Sequence, residues 1–507
     1  MTPGQGGGAA GFSAELADRA RGSRVVVVGG GIAGLVSAWE CARIGMEVTV
    51  VEAAVEPGGA IRRATVGAIV LDTGAESYAT RGGHVRRLLD ELGLAADIVT
   101  PGGGRAWLAG APGGAAPLPA GGVLGIPANP FAPDVRRIIG WSGAWRAYLD
   151  RLRPVLTIGH THSLGALVRA RMGARVLERL VSPIVQGVYS ARPEDVDVDL
   201  AAPGLNAALT RTGSLSGAVS VLSAGRADKA PGAAVEGVRG GMTRIIDALL
   251  ARLGELGATV LTETRAQSLA RTADGWEIRL ATPAETPEAA EALLADAVIV
   301  ATDEGTARAL LAPVVEGLEA GAEYGDLAAG AGAGVAPEIE VVSLVVDAPA
   351  LDAAPRGSGV LTVPGAFVAK ALTHATAKWG WLAEAARQAG PHRHVVRVSF
   401  GSQGEPAATA GLDDAQAIGL ALAQASALLG VEIEPSQLVG GHRERYTQSQ
   451  PASIIGRQAQ TAAARARVAA VPGLGVAGAW VSGTGLAQVV PDAVAESERI
   501  RSALLWR

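Results

Sequence analysis

The chain is short of several residue types, and each shortage removes a class of function. Its 507 residues include one cysteine, Cys41, so no disulfide can close within the chain and a cysteine-based metal centre is not expected. Cys41 falls among apolar neighbours on a predicted helix, where a buried, inert thiol is expected. The seven histidines show no HExxH or comparable spacing. His160 and His162, and His392 and His394, lie two apart in loop or strand contexts and read as surface or packing residues, so no metal is expected. Aromatic residues make up only 4%. Lysine is confined to Lys229, Lys370 and Lys378, leaving positive charge to arginine, whose guanidinium forks suit carboxylates. A net charge of −5 argues against broad nucleic-acid binding. No apolar run reaches the roughly 20 residues of a membrane-crossing helix. The Gly/Ala-rich opening, residues 1–22, lacks a signal peptide's basic-then-apolar layout and reads as a frayed tail on a cytoplasmic protein.

What is abundant is apolar residues, 49% against 18% charged, and a chain of this length divides into two or three packed domains. The stretch from Arg24 to Glu52 organises them. Val25–Val28 is a continuous β-branched run, as in a strand buried on both faces of a parallel sheet. Gly29, Gly31 and Gly34 follow as GxGxxG, then a helix to about Ile44, then a strand from Val48 to Val51 ending on Glu52. The first glycine allows the tight turn, the second lets backbone N–H groups approach a pyrophosphate, and the third lets helix and strand pack closely. Phosphates then sit at the positive end of the helix, and Glu52 accepts from ribose hydroxyls. A lone GxGxxG means little in a chain with 69 glycines; the whole strand–glycine–helix–strand–acid unit specifies a dinucleotide site.

Further along, Ala68–Asp72 is expected as a strand and His84–Leu92 as a helix. Pro101–Pro133 reads as loops and short strands, and Val135–Val155 and Ser163–Val185 as helices of a central insertion. A helix is expected at Thr243–Leu256. Strands are expected at Thr259–Leu261, Arg265–Leu269, Trp276–Leu280 and Ala297–Ala301. Pro283–Ala295 reads as a solvated insertion and Gly317–Pro337 as a mobile linker. Glu340–Val346, Val360–Thr362, Phe367–Thr373 and His394–Phe400 read as strands of a second sheet, with Asp413–Leu429 an amphipathic helix. Gly475–Trp480 is expected as a strand and Asp492–Leu505 as the final helix. The expected fold is α/β: a discontinuous Rossmann-like FAD-binding domain, a β-sheet substrate domain and a helical insertion. Residues 23–100, 236–305 and 446–507 make the FAD-binding domain, 101–130 and 306–445 the substrate domain, and 131–235 the insertion.

Extra glycine features at Gly58–Gly59, Gly74–Ser77 and before the last helix suit a long, permanently held FAD better than a nicotinamide cofactor. With them the chain resembles the porphyrinogen oxidases of the flavin amine oxidase superfamily, over residues 24–505, which implies an FAD-binding domain of the p-hydroxybenzoate hydroxylase/amine oxidase type. The motifs are VVVVGGGIAGL (25–35), GG-x-I-R (58–62), LDTGAES (71–77), ELGL (91–94), SPIVQGVYSARPEDVDV (182–198), VRGGMTRIIDAL (238–249), VIVAT (298–302) and GTGLAQVVPDAV (483–494). GVYSARPEDVDV and AKALTHATAKW (369–379) resemble the actinobacterial branch. The resemblance implies that Gly29, Gly31, Ile32, Ala33 and Gly34 hold the pyrophosphate and Glu52 the adenosine ribose. Gly59 and Arg62 fall by the pyrophosphate and flavin side, and Gly74, Ala75, Glu76 and Ser77 over the isoalloxazine. Ala266 offers its backbone to adenine; Val489, Val490 and Asp492 begin the flavin-proximal helix. In place of the family's aromatic-plus-His pattern after Pro451, this chain has Ser453 and Arg457.

The implied reaction moves a hydride from a meso carbon of a porphyrinogen to flavin N5 while a pyrrole N–H loses its proton; oxygen is the acceptor and peroxide the product. The cofactor carries that chemistry, so no catalytic acid or base is named. The protein must hold an apolar disc with carboxylate arms, for which Arg81, Tyr189, Lys370 and Lys378 are candidates, weighed against surface pairing, packing or a solvated face. Branch resemblance, and the lack of a strongly apolar surface helix, favour coproporphyrinogen III, with four carboxylates, over protoporphyrinogen IX, with two. Expected partners are the porphyrinogen, oxygen and, transiently, a ferrochelatase, with no nucleic acid; peripheral membrane contact is not indicated. The rivals are another flavin amine oxidase, which sparse aromatics disfavour, and a porphyrin-binding haem-pathway partner without turnover, which an intact FAD site disfavours.

Overall fold

A computed structural model describes residues 15–102, 104–153, 161–224, 235–281, 292–318, 338–447 and 453–506. Val25–Val28 lies at the centre of a five-stranded parallel sheet, ordered 259–261, 47–51, 24–28, 297–300, 474–476. Both faces are covered, which is why Arg24–Val28 and Ala297–Val300 are almost wholly apolar. The helix Ile32–Ala42 packs on one face with the last helix, Leu486–Leu505. The strand order reverses beside Arg24–Val28, the crevice where open α/β sheets bind ligands.

A second, seven-stranded sheet runs 438–447, 338–347, 393–400, 371–374, 359–362, 107–109, 116–117. Its mixed character follows from the chain's path: Trp107–Ala109 pairs parallel to Gly359–Thr362, and the other ladders are antiparallel. The helix Asp414–Leu429, capped by a reciprocal Asp413–Gln416 box, covers one face. Helices between Pro133 and Ser223 build a separate apolar core.

Several expectations are corrected. The strand Leu438–Thr447 went unread because Gly440 and Gly441 look like a break. They are instead close approaches, since a Cβ would meet Val66 at 3.1 Å from Gly440 and Ile418 at 2.8 Å from Gly441. Gly475–Trp480 is not one strand: Leu474–Val476 ends in a turn at Gly478, φ 118°, and Ala479–Ser482 is helical. The final helix starts at Leu486, six residues before Asp492, and runs through Pro491. Residues 15–21 are helical rather than frayed, and Arg19 donates to the Leu505 carbonyl at 3.0 Å. The first insertion helix, Pro133–Tyr148, is broken at Gly140 (φ 73°, ψ 171°). Ala292–Ala295, placed in a solvated insertion, is a strand pairing with Trp276–Ala281; the rest of that insertion, most of the 317–337 linker, His160 and Lys229 lie outside the described residues. The first insertion helix also exposes an aromatic patch. Trp141 and Trp145 are 60% and 56% exposed, cluster with Phe131 and Tyr148, and lie close to Leu149 and Leu152, which are also exposed.

Close backbone contact makes one glycine indispensable. A Cβ at Gly34 would lie 1.8 Å from the Gly29 carbonyl oxygen, so helix and first strand cannot separate enough to admit it. Gly34→Ala should lose about 3 kcal/mol or more of stability and co-purify with less flavin. Unchanged urea midpoint and flavin content would refute this contact.

Candidate functional site

The first strand delivers the glycine loop to the sheet's carboxyl edge. Gly29 takes φ 107°, and a Cβ there would stand 2.7 Å from the Ala301 carbonyl oxygen. Gly31 is the N-cap of Ile32–Ala42, and no side chain caps that helix. The N–H groups of its first turn, Ile32 and Ala33 among them, are therefore left for a ligand. Across from them, Gly31 bridges Gly58, and the Cα of Gly59 is 3.8 Å from where a Gly31 Cβ would be. Two side-chain-free backbones thus face each other. Glu52 accepts from Gly30 N and Ala54 N, each at 2.7 Å, one per carboxylate oxygen. That fixes the carboxylate and leaves further lone pairs for hydroxyl donors. Thr264 N donates to the Glu52 carbonyl at 2.9 Å, bringing buried Ala266 to the same edge.

A second loop returns alongside. Thr73 N donates to Arg62 O, and Ala75 N to Ala60 O, each at 2.9 Å; a Cβ on Gly74 would sit 2.0 Å from the Ala60 oxygen. Arg62 donates to the Gly59 carbonyl at 2.8 Å and pairs with Glu444 at 3.0 Å. Half-buried Ser77 ends the loop.

Glu76 fastens this loop to the second sheet. Its carboxylate meets Lys378 Nζ at 2.5 Å and Arg397 Nη1 at 2.8 Å. Arg397 also donates through Nη2 to the Thr73 and Gly74 carbonyls, at 3.0 and 2.6 Å. Burial alone would raise the Glu76 pKa, but the charges and hydrogen bonds of Lys378 and Arg397 outweigh it and hold the carboxyl at about 2. Lys378 is therefore neither on a solvated face nor a free carboxylate receptor; its charge is matched by Glu76. Nearby Asp72 is pushed up to about 6, chiefly by burial, and accepts from Met242 N at 2.9 Å, ahead of the helix Thr243–Glu255.

The other candidates gather at the carboxyl end of the helix Ser182–Tyr189. Tyr189 is half-buried; burial raises its pKa while the charge of Arg81 opposes the rise, so the two are neighbours. Arg81 is exposed in the turn after Tyr78–Ala79. Lys370 Nζ donates to Ser190 Oγ at 2.7 Å. Val489 and Val490 are buried in the second turn of the last helix, and Asp492 pairs with Arg465 at 2.6 Å. That helix opens at Gly485 without a side-chain cap, so its free N–H groups belong to Leu486 and Ala487, not to the residues around Asp492. Arg457 is a buried strut, bound to Glu304 at 2.5 Å and to the Trp480 carbonyl. Arg397 and Tyr446 were missed from the sequence. Arg397 stands as a single cation inside VVRVSF, a legible anomaly; Tyr446, whose pKa burial raises near Arg397 and Glu76, lies on the unread edge strand.

The sequence pattern of flavin containing amine oxidoreductases matches residues 32–500. The chain belongs to that family. A Mycobacterium bovis protein named coproporphyrinogen III oxidase is 30% identical over 91% of this chain and 93% of its own length. One of the same name from Propionibacterium freudenreichii is 26% identical over 95% and 91%. The fold is that of an Exiguobacterium structure described as a protoporphyrinogen oxidase, at TM-score 0.77 and 22% identity over 94% of this chain and 98% of that one. It is also that of putrescine oxidase, at TM-score 0.61 and 16% identity over 96% and 99%. The protein is thus a flavin-dependent oxidoreductase, and the facing glycine backbones, uncapped helix and fixed Glu52 carboxylate fit a flavin dinucleotide.

The Glu76 clamp gives this flavoenzyme a pH signature. With its folded pKa near 2 against about 4.3 when unfolded, ionised Glu76 contributes on the order of 3 kcal/mol of stability above pH 4.3. That contribution is lost as pH falls through 2. Glu76→Gln should unfold more readily in urea at pH 7, and the gap from the parent should shrink steadily below pH 4. A pH-independent gap would remove the ionised clamp.

Proposed function

We propose that this flavoprotein uses FAD to oxidise coproporphyrinogen III to coproporphyrin III, with oxygen as acceptor and peroxide as product, in haem biosynthesis. The observation that carries the reading is the end-to-end match, spanning 93% of its length, to a relative named coproporphyrinogen III oxidase. FAD in particular is supported by the acid at the second strand, since Glu52 stands where an adenosine ribose is met in such units. In this reading Gly29, Gly31, Ile32, Ala33, Gly34, Gly59 and Arg62 serve the pyrophosphate, Ala266 adenine, and Gly74–Ser77 with Val489, Val490 and Asp492 the flavin end. Bound there, FAD supplies hydride acceptance and reoxidation by oxygen. The chain's own part is orientation and exclusion of water: the 73–76 loop is pinned by Arg397, and Arg81 and Lys370 carry positive charge toward Tyr189 and Ser190, suited to propionates.

Two cations, Arg81 beside Tyr189 and Lys370 beside Ser190, favour the tetracarboxylate over protoporphyrinogen IX. We read the protein as cytoplasmic, handing product to a ferrochelatase; no helix among the described residues is long and apolar enough to cross a membrane.

The test is direct. The purified protein should be yellow, its flavin should bleach anaerobically with coproporphyrinogen III, and porphyrin fluorescence should appear faster from that substrate than from protoporphyrinogen IX. Equal or reversed rates would overturn the substrate. Oxidation of amines instead would favour another flavin amine oxidase, and binding without bleaching a non-enzymatic partner. Arg81→Ala should raise KM about tenfold with kcat within about threefold, as expected for one charge-assisted hydrogen bond; an unchanged KM removes Arg81 from the site.

A further inference from the structure

Lys370 and Lys378 lie eight residues apart, yet meet opposite surroundings. Lys378 faces a carboxylate. Lys370 faces none among the described residues, and burial lowers its pKa to about 7. Its backbone is fixed at the start of Ala371–His374, with N donating to Ser399 O at 2.9 Å and O accepting from Thr362 Oγ1 at 3.0 Å. The ammonium meets Ser190 Oγ at 2.7 Å. Ser190 is held in a left-handed conformation, φ 52°, at the end of Ser182–Tyr189, and its carbonyl accepts from Gln403 N at 2.9 Å. Gln403 is 3% exposed, and its Nε2 has no acceptor among the described residues. An ammonium and the hydroxyl that accepts from it therefore stand one backbone hydrogen bond away from a residue whose buried carboxamide still has hydrogens to donate.

The charged groups on the elements packed here are spoken for or distant in effect. Arg192 pairs with Asp195 at 2.9 Å, Arg397 with Glu76, and Ser402 donates to Glu405 at 3.2 Å. Tyr189 faces Arg81. Among the described residues, none supplies a counter-charge to Lys370.

We infer that Lys370, Ser190 and Gln403 form a receptor for one propionate carboxylate of the tetrapyrrole, completed electrostatically only when substrate is bound. This deepens the function proposed above and rests on it. About half of Lys370 is neutral at pH 7 in the free protein; a docked carboxylate favours the ammonium, so binding takes up a proton. KM is then flat well below pH 7 and rises above it toward a plateau about tenfold higher near pH 9.

The test compares the full-length, flavin-loaded parent with Lys370→Met and Lys370→Arg. Steady-state porphyrin fluorescence is followed from pH 6 to 9, alongside equilibrium titration with coproporphyrin III. Lys370→Met should raise KM and the porphyrin Kd roughly tenfold at pH 6.5, keep kcat within about threefold, and lose the pH dependence of KM. Lys370→Arg should restore KM to within about threefold and stay flat to pH 9. A Kd for Lys370→Met within twofold of the parent, or a pH profile unaltered by either variant, overturns the receptor. Failure of the parent to oxidise any porphyrinogen overturns the reaction instead, while the porphyrin Kd still decides the receptor.

Discussion

The joint between the two sheets rests on one half-buried carboxylate, that of Glu76. Residues 73–77 have no ladder to satisfy their backbone, and buried carbonyls without donors are costly. Arg397 meets that need, with one nitrogen for the Thr73 and Gly74 carbonyls and another for Glu76. Guanidinium and carboxylate each lose hydration on burial, a penalty of several kcal/mol per ion that attraction offsets only in good geometry. Two cations on one carboxylate provide it. What the arrangement secures is position: the loop that follows the glycine cradle cannot slide relative to the sheet beside it.

The same device recurs between the discontinuous parts and within them. Glu444, on the edge strand, takes Arg62 and Thr73 from the first part of the chain. Glu340, 2% exposed, takes Arg443 and Arg445. Glu304 takes Arg457 and Arg308. Arginine suits these sites because its planar fork binds a carboxylate and a carbonyl at once, which an ammonium does less well. A chain with almost no lysine is therefore well supplied for assembly from separated segments.

That also marks how far sequence reading could go. The unit from Arg24 to Glu52 was legible because its signals are local: apolar run, glycine spacing, helix, acid. LDTGAES was legible as a motif, but the partners of Glu76 lie 302 and 321 positions away, beyond any spacing rule. Lys378 stood out by rarity, and its role was misjudged because nothing local reveals a counter-ion. Leu438–Thr447 carried a period of two: His442, Glu444 and Tyr446 alternate with Arg443 and Arg445, which turn to Glu340. Paired glycines concealed it. The last helix was begun too late because Pro favours a first turn, whereas here Pro491 lies within the second turn, in a helix held by packing.

Two cations, Arg81 and Lys370, stand apart from this matched set, and both approach the carboxyl end of Ser182–Tyr189. A helix carboxyl terminus attracts cations, by about 0.3–1 kcal/mol each. The depression of Lys370 from 10.5 to about 7 corresponds to something on the order of 5 kcal/mol, so the helix end cannot be its full counter-charge. An ammonium left without a counter-charge among the described residues is costly unless binding completes it. Stabilisation withheld from the free protein then becomes available to an anionic ligand, which is how a site gains selectivity for carboxylate number without a tighter fit to the apolar ring.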